Sequence, residues 1–461
     1  MRIRLIQPPL VQPRYRQLTL PVVGAELAAH GLEVETCDEN VEALDESDVD
    51  VVGLTCHVYN APRVFEVAAR FRKRGIPVII GGTFPTVAPQ LVSPHCDSVV
   101  VGELEGQAGR LVRDIQAGSL EPVYRSPSPP SLATSVKPDF TLLHNERYLR
   151  FNFPLETSRG CRFACRFCTS QQLFPHPRTR SLDDVLRDLD QHDHGLVELI
   201  DVNFLNDPSF FRQVLPLLER APIPGWMGQT TVADLVADPS LPEALARSRC
   251  RCVFVGLESV VAEGLRSIDK GWSKPDQFLE VAERMRRVGV LVQAGIIVGL
   301  DTDQPGTLLR TAEFLEEARV QTVSFTWLHY YPGTEPLERA RREGRLLTSD
   351  LRDYDGTRPV IRPRGMSVAA LESELEVMLR RFYGVRSIVK RGLHRGMRRE
   401  SVQLLHHLSV NAAMRAYYAT EGRPGSTSTA RPFAERSRVA EGAAKIMADG
   451  SSWLLDRLMM R

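Results

Sequence analysis

The chain has 461 residues and carries 58 Lys or Arg against 57 Asp or Glu, so its formal net charge is +1 at pH 7. A charge this small argues against a nucleic-acid-binding protein and against attraction of an acidic substrate by the overall field. Hydrophobic residues make up 43% of the chain and charged residues 25%, as in a globular protein of two or three domains.

No apolar run reaches the ~20 residues that a membrane-spanning helix requires, so we expect no membrane association. The first residues, Met1-Arg-Ile-Arg-Leu-Ile-Gln-Pro-Pro, lack the long apolar stretch of a signal peptide. We therefore expect a cytoplasmic protein. In that reducing compartment, cysteines outside any metal site are expected to be thiols rather than disulfides.

Residues 1–125 alternate short apolar runs with helical periods, which predicts a doubly wound α/β domain. The run Asp50–Thr55 is apolar almost throughout, as in a buried parallel strand. Ligands of such sheets bind at the carboxyl ends of the strands, so Gln7, Thr55 and Gly81-Gly82-Thr83 are expected to line a crevice. A simple tight turn at the two glycines is an equally good interpretation.

Residues 126–150 are a predicted linker, because the run Ser126-Pro-Ser-Pro-Pro130 cannot sustain a helix or a strand. Residues 151–345 return to alternating strands and helices, among them a predicted helix at 238–247 and a last predicted strand at Thr322–Tyr330. Six predicted strands do not close an eightfold circle, so we expect a partial (β/α)6 barrel whose open side admits a large substrate.

Residues 346–461 are predicted to be helical, with apolar periods at Ser367–Tyr383 and Ser401–Tyr418. Residues 381–400 carry seven Lys or Arg, and a solvated helix face explains them most simply. A partner contact or a homodimer is the alternative. A final amphipathic helix, Ala440–Met460, would cap the barrel or join a second chain.

Three cysteines, Cys161, Cys165 and Cys168, follow the first predicted barrel strand in the run Thr157-Ser-Arg-Gly-Cys-Arg-Phe-Ala-Cys-Arg-Phe-Cys168. Thiolates at this C-x3-C-x2-C spacing can reach the corners of one iron–sulfur cluster. They are one fewer than the four that usually hold a cubane cluster, which leaves one iron open to a small molecule. A zinc site would pair C-x2-C units or add histidines, and buried core thiols would not be flanked by arginines.

Polar side chains follow several strands of the predicted barrel: Asp201 and Asn203 after the second, Gln229 after the third, and Glu258 and Ser259 after the fourth. A carboxylate at a barrel mouth can accept hydrogen bonds from an ammonium group or from ribose hydroxyls. Each residue alone would be interpreted as a solvated loop residue. Together, at the barrel end that carries the cysteines, they predict a binding site.

The cysteine run resembles that of the radical S-adenosylmethionine (SAM) enzymes. This resemblance implies a 4Fe–4S cluster on the three cysteines, SAM on the open iron, and an electron donor whose electron cleaves SAM to methionine and a 5′-deoxyadenosyl radical. It also implies that Phe167 lies beside the adenine. The stretch Gly295–Gly299, with Ile297 at its centre, resembles the family's adenine-contacting backbone, and Gly256–Ser259 resembles its G-x-E-S run. The usual acidic residue is replaced near Thr302, which puts its contact in doubt.

Residues 1–125 resemble the cobalamin-binding domain that precedes many radical SAM domains, on the runs Asp50–Thr55, Val78–Pro85 and Val100–Glu103. One feature of that domain is missing. The D-x-H-x-x-G motif, which supplies a histidine to cobalt, is absent after the first strand. We therefore expect a fold that has lost cobalamin, with retention of the cofactor as the alternative.

The chain resembles radical SAM diol dehydratases of aminoglycoside pathways in its length, its cobalamin-type fold without the histidine motif and its arginine-rich composition. That resemblance implies loss of the C3′ hydroxyl from an aminoglycoside such as paromamine, with an NAD(P)H-dependent reductase acting on the product. If cobalamin is bound, methylation of a natural-product carbon is expected instead. A non-catalytic iron–sulfur electron carrier is a remote third interpretation.

Dehydration requires a proton donor for the leaving hydroxyl and a base for the radical intermediate. The candidates are polar residues at the predicted barrel mouth: Asp201, Glu258, His329 and Tyr330. A cationic aminoglycoside would also need carboxylates, and Asp207 and Glu335 are the candidates.

Overall fold

The structure, a computed structural model, describes residues 1–10, 15–133, 136–148, 152–392, 407–408, 410–412 and 414–415. These residues form two compact units. Unit 1 comprises the described residues of Met1–Tyr148, Pro154–Gln191 and His329–Asp355, and unit 2 those of Leu149–Phe153, His192–Leu328 and Gly356–Arg461. The predicted helix Ala440–Met460 and most of the predicted helix Ser401–Tyr418 lie outside the described residues.

The N-terminal part of unit 1 alternates strands and helices, as its sequence predicts. In chain order the elements are β1 (Arg2–Gln7), α1 (Thr19–Ala29), β2 (Glu33–Asp38), β3 (Val51–Thr55), α2 (Ala61–Lys73), β4 (Val78–Gly81), α3 (Thr83–Val87), α4 (Pro89–Val92), β5 (Ser98–Val101), α5 (Ala108–Ala117) and β6 (Val123–Arg125).

These strands form one sheet in the order β2-β1-β3-β4-β5-β6, and every neighbouring pair is parallel. The strand order reverses direction at β1 and β3, where Ile3 pairs with Val51. Helices cover the faces of such a sheet, so β3 buries Val51, Val52 and Leu54. The reversal creates a crevice outside the carboxyl ends of β1 and β3, which is where ligands of doubly wound sheets bind. We call the carboxyl ends of β1, β3, β4 and β5 the carboxyl edge of unit 1.

The segment that carries the cysteines is short and irregular. Its elements are β7 (Asn152–Leu155), β8 (Ser158–Arg159), α6 (Ser170–Leu173), β9 (Arg178–Thr179) and α7 (Leu182–Leu189). Strands β8 and β9 pair antiparallel, with Ser158 opposite Thr179. The Ser181 hydroxyl accepts a hydrogen bond from the backbone N–H of Asp184 and so caps the start of α7.

Strands and helices also alternate from residue 196 to residue 342. The elements are β10 (Leu196–Leu199), α8 (Pro208–Arg220), β11 (Trp226–Thr231), α9 (Val232–Ala237), α10 (Leu241–Arg247), β12 (Cys250–Glu258), α11 (Ala262–Ser267), α12 (Pro275–Arg287), β13 (Leu291–Val298), α13 (Thr307–Ala318), β14 (Thr322–Trp327) and α14 (Glu335–Arg342). Helix α14 belongs to unit 1.

The second sheet has the order β14-β13-β12-β11-β10-β7, so its six strands follow one another in sequence, as expected for a partial barrel. The pairs from β10 to β14 are parallel. Three details differ from the sequence prediction. Helix α11 was not predicted, α9 and α10 replace one predicted helix at 238–247, and β14 ends at Trp327 rather than at Tyr330.

The C-terminal part of unit 2 contains α15 (Val368–Phe382) and α16 (Val385–Gly392), which confirms its helical character. Helix α15 begins at Ser367, whose hydroxyl accepts a hydrogen bond from the backbone N–H of Ala370. Within the described ranges, no helix combines the length and the apolar composition that crossing a membrane would need.

The sequence predicts that the basic residues of 381–400 lie on a solvated helix face. Arg391 in α16 is an exception, because the structure buries it fully. Its guanidinium donates to the carbonyl oxygens of Val320 and Gln321 at 2.9 Å and of Phe382 at 2.8 Å. It also donates to Asn411 Oδ1 at 2.9 Å. Burial lowers the pKa of Arg391 to about 10. The guanidinium therefore ties α16 to the turn between α13 and β14.

We expect Arg391→Gln to lower the free energy of unfolding by about 3 kcal/mol, because several buried carbonyls lose their donors. Urea unfolding followed by circular dichroism measures this change. Arg386→Gln, at an exposed position of the same helix, should have no measurable effect. Equal unfolding midpoints for the two variants would contradict the structural role of Arg391.

Candidate functional site

The three cysteines lie on one loop of unit 1, residues 160–169, which we call the cysteine loop. Cys161 and Cys165 are half-buried and Cys168 is exposed, and no disulfide joins any of the eight cysteines, all of which the structure describes. Cys168 Sγ lies 2.9 Å from Ser170 Oγ. The Gln171 side chain donates to the backbone oxygens of Cys161 and Phe163. Backbone contacts thus shape the loop.

This loop suits an iron–sulfur cluster, because three thiols on a short, partly exposed segment are the ligands that such clusters use. Gly160 precedes the first cysteine with φ +90°, and a Cβ there would lie 2.8 Å from the carbonyl oxygen of His176. Only glycine allows this close approach. Among the described residues, no three His, Cys, Asp or Glu side chains are close enough to bind a single metal ion.

Arg159, which leads into the cysteine loop, is surrounded by carboxylates within unit 1. Its guanidinium lies 2.7 Å from Glu103, 2.6 Å from Glu105 and 2.8 Å from Glu156. Glu103 also pairs with Arg178 at 2.6 Å. Burial lowers the pKa of Arg159, but the surrounding carboxylates outweigh it and hold that pKa well above its usual value. We call these five side chains the Arg159 network.

The Arg159 network joins two parts of unit 1 that are distant in the sequence. Glu103 and Glu105 lie just beyond β5, at the carboxyl edge, while Arg159 and Arg178 flank the cysteine loop. Side chains in this network are at most 16% exposed. Removing one partner of such a buried pair leaves the other charge uncompensated, so the network holds the cysteine loop firmly to the sheet.

A second connection in unit 1 runs through Thr83, the first residue of α3. Its hydroxyl lies 2.9 Å from His57 Nδ1. Burial, followed by the nearby Cys168, raises the pKa of Tyr331, and the side chain of Thr83 acts against this shift as a hydrogen-bond partner. Tyr331 belongs to the Tyr-Pro-Gly-Thr turn before α14. Side chains from the carboxyl edge, the cysteine loop and this turn therefore meet within one unit.

The carboxyl edge can also accept a flat ligand. Gly102 follows β5 with φ +80°, and a Cβ built there would meet no atom within 4 Å. Gly81 ends β4, and a Cβ there would meet only Val100, at 3.6 Å. Small residues and hydroxyls thus leave room over the strand ends, as a corrin ring would need. The residues present fit cobalamin.

In unit 2, the side chain of Asn203 takes part in a buried network of strand ends. Its amide donates to Asp234 Oδ2 at 2.8 Å, and its oxygen accepts from Thr230 Oγ1 at 2.7 Å. Thr231 Oγ1 donates to the same Asp234 oxygen at 2.7 Å. These bonds fix the turn after β11. They give Asn203 a structural role in addition to any contact with a cofactor.

Glu258 ends β12 in an unusual backbone conformation. Its φ is +64°, rare for a residue with a side chain, and the pairing with β13 shifts register between Gly256 and Glu258. Lys270 Nζ bonds to Glu258 Oε1 and to the Gly256 carbonyl oxygen, each at 2.9 Å. The carboxylate is thus held in one orientation at a strained position, as is typical of functional sites.

An acidic residue, Asp303, supports the turn after β13. Its Oδ2 accepts hydrogen bonds from the backbone N–H groups of Gly299 at 2.9 Å and Leu300 at 3.0 Å. By the family resemblance, the usual acidic residue is replaced near Thr302. The carboxylate of Asp303, one residue further on, contacts the turn that ends the Gly295–Gly299 stretch. Gly295 is required for packing, since a Cβ there would lie 2.6 Å from the ring of Phe254.

The other predicted site residues divide between the two units. Asp201 is buried and Gln229 half-buried in unit 2, where Ser259 Oγ accepts from the backbone N–H of Val261 at 3.1 Å and Ile297 is buried in β13. Phe167, His329 and Tyr330 are half-buried in unit 1.

The two carboxylates expected to bind an aminoglycoside have structural roles. Asp207 caps α8 by accepting from the backbone N–H of Phe210 at 2.9 Å, and hydrogen bonds, first from Ser209, lower its pKa. Glu335 is exposed and lies 3.3 Å from Arg342 in α14. These two residues belong to different units.

Comparison with protein-family models identifies two domains in the sequence. The model of the Radical SAM superfamily matches residues 155–315, and the model of the B12 binding domain matches residues 17–112. The chain is a radical SAM enzyme with a B12-binding domain. This membership supports a 4Fe–4S cluster and SAM as its cofactors, and Cys161, Cys165 and Cys168 are the residues that fit the cluster.

One curated relative of this radical SAM enzyme is the bacteriochlorophyllide d C-12(1)-methyltransferase of Chlorobaculum tepidum. The two are 26% identical over 384 residues, which cover 80% of this chain and 83% of that protein.

Two solved structures share the fold. The radical S-adenosylmethionine methyltransferase TsrM from Kitasatospora setae, with cobalamin and a 4Fe–4S cluster bound, gives a TM-score of 0.65 at 16% identity, covering 97% of this chain and 99% of that chain. The cobalamin-dependent SAM radical enzyme OxsB, with aqua-cobalamin and SAM bound, gives a TM-score of 0.67 at 14% identity, covering 100% and 80%. The match to the B12 binding domain weighs against our expectation that cobalamin has been lost.

Four residues of this radical SAM enzyme were not found as site residues by sequence reasoning: His57, Arg159, Asp303 and Tyr331. The partner of His57 and two partners of Arg159 lie far away in the sequence, and only the fold brings them together. The one available signal was position, because His57 follows a predicted strand at its carboxyl end. That signal is weak, since most loops contain polar residues.

The Arg159 network makes a testable prediction. We expect Glu103→Gln to lower the stability of unit 1 by about 3 kcal/mol, because Arg159 and Arg178 both lose a buried partner. Less iron should remain after anaerobic reconstitution and gel filtration, and protease should cut faster within the cysteine loop. Glu121→Gln, in an exposed pair with Arg110, should retain wild-type iron content. Equal iron in both variants would show that the network does not hold the loop.

The buried carboxyl group of Asp303 predicts that the stability of the folded chain depends on pH. Burial raises its pKa from 3.8 to about 6, although the N–H groups of Gly299 and Leu300 lower it. Between these values the folded chain keeps a proton that the unfolded chain has lost, so the stability contributed by this group falls as pH rises. Asp303→Asn keeps an acceptor oxygen and removes the titration. In urea unfolding, the free energy of unfolding of the variant relative to that of the wild type should rise by about 1 kcal/mol from about pH 5 to about pH 7.5. A pH-independent difference would contradict the assignment.

Proposed function

We propose that this radical SAM enzyme is a cobalamin-dependent methyltransferase that methylates a carbon atom of a small-molecule natural product. The observation that carries this proposal is the composition of unit 1. It contains both the cysteine loop and a B12-type sheet, joined by the buried Arg159 network. An enzyme that uses cobalamin together with a SAM-cleaving cluster needs these two parts in one rigid body.

The relatives support the same reaction. The Chlorobaculum tepidum protein is named as a methyltransferase, and so is TsrM. Dehydration of an aminoglycoside, which the sequence suggested first, has no support from these comparisons. The two carboxylates expected to hold a cationic sugar, Asp207 and Glu335, have helix-terminal roles instead. The names of these relatives and the structural roles of the two carboxylates therefore favour methyl transfer over dehydration.

We assign the following roles to residues of this chain. Cys161, Cys165 and Cys168 would hold the cluster. Glu258, oriented by Lys270, would accept hydrogen bonds from the amino group or the ribose of SAM. The turn supported by Asp303 would present backbone groups to the adenine. When bound, the cluster supplies the electron for SAM cleavage and cobalamin supplies methyl-group chemistry at the carboxyl edge.

Partners follow from this chemistry. Reductive cleavage of SAM consumes one electron, so an electron donor is needed. Methyl transfer does not produce the ketone that dehydration would leave, so a product-specific NAD(P)H-dependent reductase is not required. The substrate is a small molecule, and bound cobalamin would lie beside it.

The fate of SAM tests the proposal. Protein reconstituted with iron, sulfide and cobalamin is incubated anaerobically with SAM, reductant and a natural-product panel that includes paromamine. We expect both 5′-deoxyadenosine and S-adenosylhomocysteine, because loss of the SAM methyl group leaves the latter, and a product that has gained a methyl group. Substituting SAM that carries a deuterated methyl group should move the label into that product.

Two variants control this experiment. Cys168→Ala should abolish 5′-deoxyadenosine formation, because the cluster loses a ligand. Cys252→Ala, at a cysteine in β12 that does not belong to the C-x3-C-x2-C run, should retain it. Formation of 5′-deoxyadenosine without S-adenosylhomocysteine, together with loss of water from paromamine, would instead establish the dehydratase reaction.

A further inference from the structure

His57 stands at the ligand-binding edge of unit 1. It lies two residues beyond Thr55, where β3 ends, and β3 is one of the two strands at which the strand order reverses. Doubly wound sheets bind ligands outside the carboxyl ends of those strands. The sequence lacks a cobalt-binding histidine motif after β1, but His57 places an imidazole at the same edge from the neighbouring strand.

Three contacts hold the His57 ring and backbone in place. Nδ1 lies 2.9 Å from Thr83 Oγ1. The ring stacks on that of Tyr59, with centroids 5.5 Å apart and planes 8° from parallel. The backbone N–H donates to Asn60 Oδ1 at 2.8 Å. Metal-binding histidines are typically oriented in this way, with one ring nitrogen bonded to an oxygen and the other directed at the metal.

The hydrogen bond to Thr83 uses only one of the two ring nitrogens. When His57 Nδ1–H donates to Thr83 Oγ1, Nε2 keeps its lone pair. Among the residues that the structure describes, none bonds to Nε2. A neutral imidazole with such a lone pair is the form that binds a metal.

The space beside this edge is suitable for a corrin ring. Glycines end β4 and follow β5, and a Cβ at Gly102 would meet no atom within 4 Å. His57, two residues beyond β3 at the same edge, could supply the axial ligand that the segment after β1 lacks.

We propose that His57 Nε2 is an axial ligand of the cobalt atom in a corrinoid bound at the carboxyl edge of unit 1, with Thr83 as the residue that orients the ring. This inference rests on the proposed function, because it requires that the chain binds cobalamin. It adds a ligand that the sequence motif of cobalamin domains does not provide.

Electron paramagnetic resonance of the cob(II)alamin form tests the proposal directly. The full chain is produced with unlabelled or ¹⁵N-labelled histidine, loaded with hydroxocobalamin, gel-filtered and reduced. A histidine nitrogen on cobalt should give a splitting that changes from a triplet to a doublet on labelling. The benzimidazole nitrogen of the cofactor would give a triplet that labelling does not change.

Single substitutions test whether the label-dependent splitting comes from His57. His57→Gln should lose the label-dependent splitting, and Thr83→Val should weaken cobalamin binding about 10-fold, because it removes the partner that orients the ring. His95→Ala is the matched control. His95 is a second histidine of unit 1 that stacks on a neighbouring ring, that of Phe65, at 3.7 Å, and its loss should leave the spectrum unchanged. Far-ultraviolet circular dichroism and iron content verify that each variant is folded.

The outcomes separate this inference from the function on which it rests. Label-dependent splitting in wild type and His95→Ala but not in His57→Gln supports the ligand. Retained corrinoid without label-dependent splitting, or with splitting that persists in His57→Gln, overturns the ligand and leaves the methyltransferase proposal standing. If gel filtration removes all corrinoid from the wild-type protein, both proposals fail.

Discussion

Arg159 reaches from the cysteine segment into a group of carboxylates at the edge of a parallel sheet, and one guanidinium thereby holds two functional parts of unit 1 together. Its partners Glu103 and Glu105 lie beyond β5, and Glu156 precedes it in its own segment. A buried arginine with so many partners is stable only in one arrangement, because any displaced carboxylate leaves an uncompensated charge. The position of the cysteine loop relative to the B12-type sheet is thus determined by electrostatics as well as by apolar packing.

Much of the fold could be predicted from the sequence because short runs rich in apolar residues, such as β3 and β5, alternate with helical periods. The cysteine spacing was equally clear, since it is local. Boundaries were less accurate: β14 ends at Trp327, and the short helix Ala262–Ser267 was missed. Too few residues form that helix for a periodic pattern to show. Arg391 was assigned to a solvated face, because sequence does not reveal the carbonyls that surround it.

The candidate site was harder to predict, for a physical reason. A polar residue at a strand end has the same local sequence whether it faces a cofactor or a neighbouring turn. Asn203 bonds to Asp234 and Thr230, whereas Glu258 is held by Lys270. Asp303, one residue beyond Thr302, accepts a hydrogen bond from the backbone N–H of Gly299. The difference between Asn203 and Glu258 depends on which distant side chains the fold brings close, and the sequence pattern carries no information about those pairings.

The left-handed backbone of Glu258 has an evolutionary consequence. A non-glycine residue in that conformation costs roughly 1 kcal/mol or more, and glycine at this position would relieve the cost. A glycine would also remove the carboxylate that Lys270 orients. Because the Lys270 side chain is only 5% exposed, loss of its counter-ion would cost more than glycine gains, so selection for thermal tolerance would also retain Glu258. Laboratory evolution of a more robust enzyme should keep codon 258 fixed.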